Sequence, residues 1–204
     1  ELLDSPEYTE LSRLWERLRK YGDGPFTLVE GNNRHQIAQL PQLAQLLDNL
    51  GRSPLYVPGA AGSGKSTTLA ALIDDLNQRE ARHILTLEDP IEFIHTPARC
   101  LINQREIAHD AATFASGLRA ALREDPDIVL IGELRDLDSI RLALTAAETG
   151  HLVLSTLHTR GAIAAIERLT DVFSGAEKNR VCSQLAGSLV AVLSQHLVAK
   201  PAVQ

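Results

Sequence analysis

The stretch that most constrains this chain is Gly59-Ala60-Ala61-Gly62-Ser63-Gly64-Lys65-Ser66-Thr67, which fits the phosphate-loop pattern G-x-x-x-x-G-K-[ST] at every specified position. A short apolar run, Leu55-Tyr56-Val57, precedes it, and a helix-forming run from Thr68 to Leu76 follows. In that strand–loop–helix setting, glycines let successive backbone N–H groups converge on a phosphate, and the helix start adds partial positive charge. Lys65 is expected to reach the β and γ phosphates, with the Ser66 hydroxyl on Mg2+. A glycine-rich turn that binds nothing would not require the Lys, the Ser and both flanks together.

The 204 residues give room for one large domain, with or without a small appendage. A formal charge of −6 and 4% aromatic residues argue against a nucleic-acid partner, which favours basic faces and stacking platforms. Cys100 and Cys182 form no C-x-x-C pair, so they read as free thiols in a reducing compartment, and no zinc is expected. No apolar run approaches membrane-spanning length, which points to a soluble, cytosolic protein. The chain holds no Met, as a fragment or a chain with residues missing would.

Residues 7–20 place Leu11, Leu14, Trp15 and Leu18 at helical spacing. Phe26–Glu30 and His35–Gln39 flank Gly31-Asn32-Asn33, the composition of a hairpin. A helical pattern resumes from Pro41 to Leu50 and stops at Gly51 and Pro54. Residues 1–40 therefore read as an appendage, and 41–204 as the nucleotide-binding domain. From Leu55 onward, apolar strands at 55–57, 83–87, 128–131 and 152–156 alternate with helices at roughly 66–78, 111–123 and 137–149. That alternation predicts an α/β fold, a mainly parallel sheet covered by helices on both faces. Beyond 161 a helical face carries Val181, Leu185, Leu189, Val192 and Leu193.

Further candidate residues fall at strand ends, where open α/β sheets bind ligands. The second strand ends in Glu88, Asp89 and Glu92, carboxylates able to serve a metal shell or polarise the attacking water. The third ends in Gly132-Glu133, the Walker-B arrangement, with Glu133 expected to face Mg2+ from the strand next to the phosphate loop. Arg135 and Asp136 follow and could pair with each other. The fourth ends in His158, a possible γ-phosphate sensor, while His151 stands at its opposite end. Arg119 and Arg123, four apart on one helix, and Arg105 could supply charge to the transferring phosphoryl group, or could equally pair on the surface with Glu124 or Asp125.

These stations together resemble the secretion and type IV pilus ATPase superfamily. Its Walker A, Asp-box, Walker B and His-box segments are matched in order by residues 59–68, 85–93, 122–136 and 145–159. Ala147-Glu148-Thr149-Gly150-His151, Asp171 to Lys178 and Ser194 to Leu197 are similar to the PilT-type retraction ATPases. Arg160-Gly161 departs from the family's usual continuation of the His box. The resemblance implies a RecA-like P-loop core, a shortened PAS-like N-terminal domain, and Mg2+-dependent ATP hydrolysis. It also implies a homohexamer on the cytoplasmic face of the bacterial inner membrane, working with a platform protein to retract a pilus, or a related secretion or conjugative system. Carried over, Lys65, Ser66, Glu133 and His158 take the phosphate, Mg2+, Walker-B and His-box roles. Glu92 is favoured over Glu88 for positioning water, and Arg105, Arg119 and Arg123 match arginines near the phosphates.

Overall fold

The computed structural model describes residues 27–30, 33–36, 55–60, 62–159, 161–189 and 191–194. The expected helices at 7–20 and 41–50, and position Ala61 of the phosphate loop, lie outside them.

Thr27–Glu30 (β1) and Asn33–Gln36 (β2) pair antiparallel, with Glu30 opposite Asn33. The hairpin is shorter than expected and takes Asn33 into its second strand. Two strands do not constitute a PAS-like domain, so that part of the expectation gains no support.

The remaining elements run β3 (Leu55–Pro58), α1 (Lys65–Arg79), β4 (His83–Glu88), β5 (Leu101–Glu106), α2 (Phe114–Ala121), β6 (Ile128–Ile131), α3 (Leu137–Glu148), β7 (Leu152–Leu157), α4 (Ala162–Asp171), α5 (Gly175–Ser188) and β8 (Ala191–Val192). The six strands from β3 onward form one sheet in the order β5-β4-β6-β7-β3-β8, and every pairing is parallel. β6 and β7 are buried along their whole length, as their unbroken apolar sequences require of strands covered on both sides.

Side chains alternate between two cores. Ile84, Ile128, Leu130, Leu152 and Leu154 meet Leu69, Leu72, Ile73 and Leu76 of α1 on one face. Leu85, Leu87, Val129, Ile131 and Val153 meet α2, α3, α4 and α5 on the other. Each fully buried aliphatic side chain contributes on the order of 1.5–3 kcal/mol, so a double-sided strand such as β6 anchors both layers.

Two elements differ from the sequence reading. β5 was not expected as a strand, and its partner β4 is reached by residues 89–100 without a helix. The helical face read through Val192 and Leu193 breaks after Ser188, and β8 pairs with β3 instead. Val192 and Leu193 then enter opposite cores, as consecutive residues of an extended chain must.

Candidate active site

The loop after β3 is tied to β7 by the Gly59 N–H, which donates to Leu157 O at 3.0 Å. Gly62 and Gly64 have φ of 74° and 90°, values that a residue with a Cβ adopts only at a cost. Thr113 and Asp136 cap α2 and α3 with their side chains, whereas no side chain caps α1 at Gly64. The α1 start thus keeps its N–H groups available to an anion. Beside it, Ser63 Oγ is buried and has no hydrogen-bond partner. An unpartnered buried hydroxyl and an uncapped helix start are what a phosphate-binding loop should show without its ligand, so the residues present fit a nucleotide phosphate chain.

Lys65 is 7% exposed, and its ammonium donates to Ala60 O at 2.9 Å. Burial lowers its pKa, opposed by attraction from Glu133 and then Glu92. Those two carboxylates are therefore the ones whose charge Lys65 feels. The Ser66 hydroxyl donates to Glu92 Oε1 at 3.1 Å, which brings residues from two distant motifs together at the α1 start.

Glu133 lies at the end of β6, but β6 is not the neighbour of β3, because β7 runs between them. The expectation of adjacent strands is corrected accordingly. Glu133 Oε2 accepts from Arg135 Nε at 2.6 Å and lies 3.4 Å from His158 Nε2. His158 follows β7, so the intervening strand brings the histidine to the Walker-B glutamate. Arg135 and Asp136 do not pair with each other. Asp136 instead accepts from Ser139 N at 2.8 Å and Ser139 Oγ at 2.6 Å, capping α3.

Glu88 is not placed with Ser66. Its Oε1 accepts from Thr86 Oγ1 at 2.7 Å and from Gln104 Nε2 at 3.2 Å. Asp89 is exposed in the turn beyond β4, before a cis bond to Pro90. His151, at the N-terminal end of β7, is held near Thr149 Oγ1 and Ala146 O, away from the strand ends that carry the site.

The arginines are not gathered at the loop within this chain. Arg105 binds Glu124 through Nη2 at 2.7 and 2.9 Å. It sits on β5, four strands from β3, or about 19 Å at ordinary strand spacing. Arg119 lies 3.9 Å from Asp138. Arg123 falls past the end of α2 at Ala121, so the two arginines do not share a helix face as their spacing suggested.

The sequence reading missed Gln104 and Asn77. Gln104 bonds to Glu88, Phe93 and His95, and the 1% exposed Asn77 bonds to Thr96, Ala98 and Cys100. The one available signal was the long run after Glu92 with no periodicity of its own, whose backbone polar groups had to be satisfied by something.

Residues 32–203 match the family described as Type II/IV secretion system protein. The chain is 64% identical over 158 residues to the "Uncharacterized protein YggR" of Escherichia coli K12, covering 78% of this chain and 47% of that protein. It is 58% identical over 149 residues to the "Type IV pilus retractation ATPase PilT" of Pseudomonas aeruginosa, covering 73% of this chain and 43% of that protein. Among solved structures, the "Pilus Retraction Motor PilT and Bound ADP" aligns with a TM-score of 0.75 and 35% identity, covering 96% of this chain and 66% of that one. The chain thus spans less than half the length of these two curated relatives.

Proposed function

The chain belongs to the type II/IV secretion system protein family, and from that premise we propose that it is the ATP-hydrolysing part of a ring-forming motor that powers type IV pilus retraction. The observation that carries this reading is the meeting of Lys65, Ser66, Glu92 and Glu133 at an uncapped helix start, next to the unpartnered Ser63 hydroxyl. In this proposal residues 41–204 are the ATPase domain and 1–40 an appendage to it.

The loop from Gly59 to Thr67 wraps the phosphates, and Lys65 neutralises charge on the β and γ groups. Mg2+ bound with ATP would be held by Ser66 and faced through water by Glu133, spreading the phosphate charge. Glu92, now on the Ser66 hydroxyl, orients the attacking water once that hydroxyl turns to its new partner. His158 couples the state of Glu133 to the end of β7. Arg105, Arg119 and Arg123, all remote from their own chain's loop, serve the nucleotide of a neighbouring subunit in a homohexamer. A platform protein at the inner membrane receives the motion. No helix among the described residues is long and apolar enough to cross a membrane.

A motor for a secretion system would use the same site and differ only in partner. Specific ATPase activity should rise with protein concentration as subunits assemble, disappear in Glu133→Ala, and be indifferent to DNA. Activity that requires DNA would overturn the proposal in favour of a nucleic-acid motor. In cells, Glu133→Ala should leave surface pili accumulated, because assembly continues without retraction. Unchanged piliation with a lost secretion phenotype would favour the secretion reading.

A further inference from the structure

The segment carrying Glu92 has no regular structure, yet its backbone is held at closely spaced points. Parallel strands need a crossover, usually a helix, because the chain must return to the starting end of the sheet. Here residues 89–100 return instead as an irregular run beside α1, from Ser66 at its start to Asn77 near its end. Asn77 holds the far half through Thr96 O at 2.9 Å, Ala98 N at 2.9 Å and Cys100 N at 3.2 Å.

The near half is gripped by β5. Gln104 and Glu106 stand two apart on that strand and so present the same face. Glu106 Oε2 accepts from Ile91 N at 3.0 Å, just before Glu92. Gln104 Nε2 donates to Phe93 O at 2.8 Å, just after it, and Gln104 Oε1 accepts from His95 N at 2.8 Å. The same Gln104 nitrogen reaches Glu88 Oε1 at 3.2 Å, anchoring the run to the end of β4. Glu92 itself is exposed, so its own side chain does little to fix the backbone on either side of it.

We infer that Gln104 is a positioning residue for the ATPase reaction, setting the place of Glu92 relative to Ser66 through the Phe93 and His95 peptides. This rests on the catalytic reading of Glu92 given above. A carboxylate on an unheld loop would sample many positions, and misplacement by about 1 Å can cost on the order of 100-fold in rate. The phosphate loop and Lys65 do not touch Gln104, so nucleotide binding should survive its loss.

The test uses the full chain with Gln104→Ala, Glu92→Gln and the double variant, measuring kcat, KM for ATP and the Kd of ADP. Gln104→Ala should lower kcat about 10-fold or more while the Kd of ADP stays within about twofold. The double variant should match Glu92→Gln within about twofold, because the two residues act as one unit. Gln104→Glu keeps the size and the acceptor for His95 N but loses the donor to Phe93 O, so it reports the same effect where the alanine variant does not fold. A Gln104→Ala or Gln104→Glu kcat within twofold of wild type overturns the inference. So does a double variant 10-fold below an already impaired Glu92→Gln. A Glu92→Gln protein with wild-type kcat would remove the catalytic reading of Glu92 itself, a result distinct from either of these.

Discussion

Glu133 and His158 meet at a single carboxylate oxygen, with His158 Nε2 3.4 Å from Glu133 Oε2. The glutamate is 16% exposed and the histidine 44%, so the more sheltered partner is the one whose charge Lys65 feels. Glu133→Gln keeps the shape and removes that charge. Its kcat should fall at least about 100-fold, the scale of losing one well-placed polar group in a site. ADP should still bind, because the backbone cradle of the phosphate loop is untouched. Stopped turnover with an ADP Kd near wild type would show that Glu133 serves the reaction and not the assembly of the loop.

Gly132 controls where Glu133 stands. A Cβ at this position would lie 3.3 Å from Leu87 O and 3.4 Å from Glu88 Cα, both backbone atoms that cannot rotate aside. The Gly132 N–H already donates to Leu87 O at 2.7 Å, so β6 and β4 are at close approach here. Gly132→Ala should push the strand ends apart by a few tenths of an ångström and carry Glu133 with them. We expect kcat to drop about 10-fold, with Tm lowered by only a few degrees. A Tm loss large enough to account for the missing activity would instead mark Gly132 as a packing residue.

The parts of the molecule legible in the sequence are those whose residues announce a local rule. The phosphate loop has fixed residue types at fixed spacing. β6 and β7 have unbroken apolar runs because both of their faces are covered. β5 was illegible because it is an edge strand. Its Leu101-Ile102-Asn103-Gln104-Arg105-Glu106 sequence carries polar residues that hold a loop on one face and Glu124 on the other. β8 was read as helix because Leu185, Leu189 and Val192 fit that period, and only the pairing with β3 decides otherwise. The choice between Glu88 and Glu92 could be leaned upon but not settled from sequence, since it depends on Gln104 turning Glu88 away from Ser66. Arg105 was evenly balanced for the same kind of reason, and its pairing with Glu124 joins residues from separate elements.

Asp136 offers a test of the α3 start independent of catalysis. Burial pushes its carboxyl pKa up, but hydrogen bonds from the Ser139 hydroxyl and N–H, joined by backbone N–H groups, outweigh this and hold it below the ordinary 3.8. A carboxyl with a depressed folded pKa stabilises the fold above its unfolded value, and that stability is lost as pH falls further. Asp136→Ala should therefore cost about 1 kcal/mol near neutral pH, the usual scale of a lost N-cap. Urea denaturation should show the gap between wild type and variant holding from pH 8 to about 5 and closing below 3.8. A gap that persists in acid would mean the cap acts without its charge.

Lys65 should run the opposite way with pH. Its ammonium is buried, and burial pulls its pKa below the ordinary 10.5 despite attraction from Glu133 and Glu92. The unfolded chain thus holds this proton more firmly than the folded one. At neutral pH both states are protonated, and the fold carries the whole cost of burying the charge. As pH rises through the folded pKa toward 10.5, the folded protein sheds the proton first and that cost is relieved. Lys65→Met keeps the apolar stem and removes the charge, and the Ala60 carbonyl it vacates belongs to an exposed residue that water can serve. The nucleotide-free variant should melt about 2–4 °C above wild type at pH 7, the shift that ~1 kcal/mol produces in a domain of this size. The difference should shrink as pH is raised, and ADP binding should be lost throughout. A variant that melts below wild type at pH 7 would show that the attraction of Glu133 and Glu92 outweighs the burial of the charge.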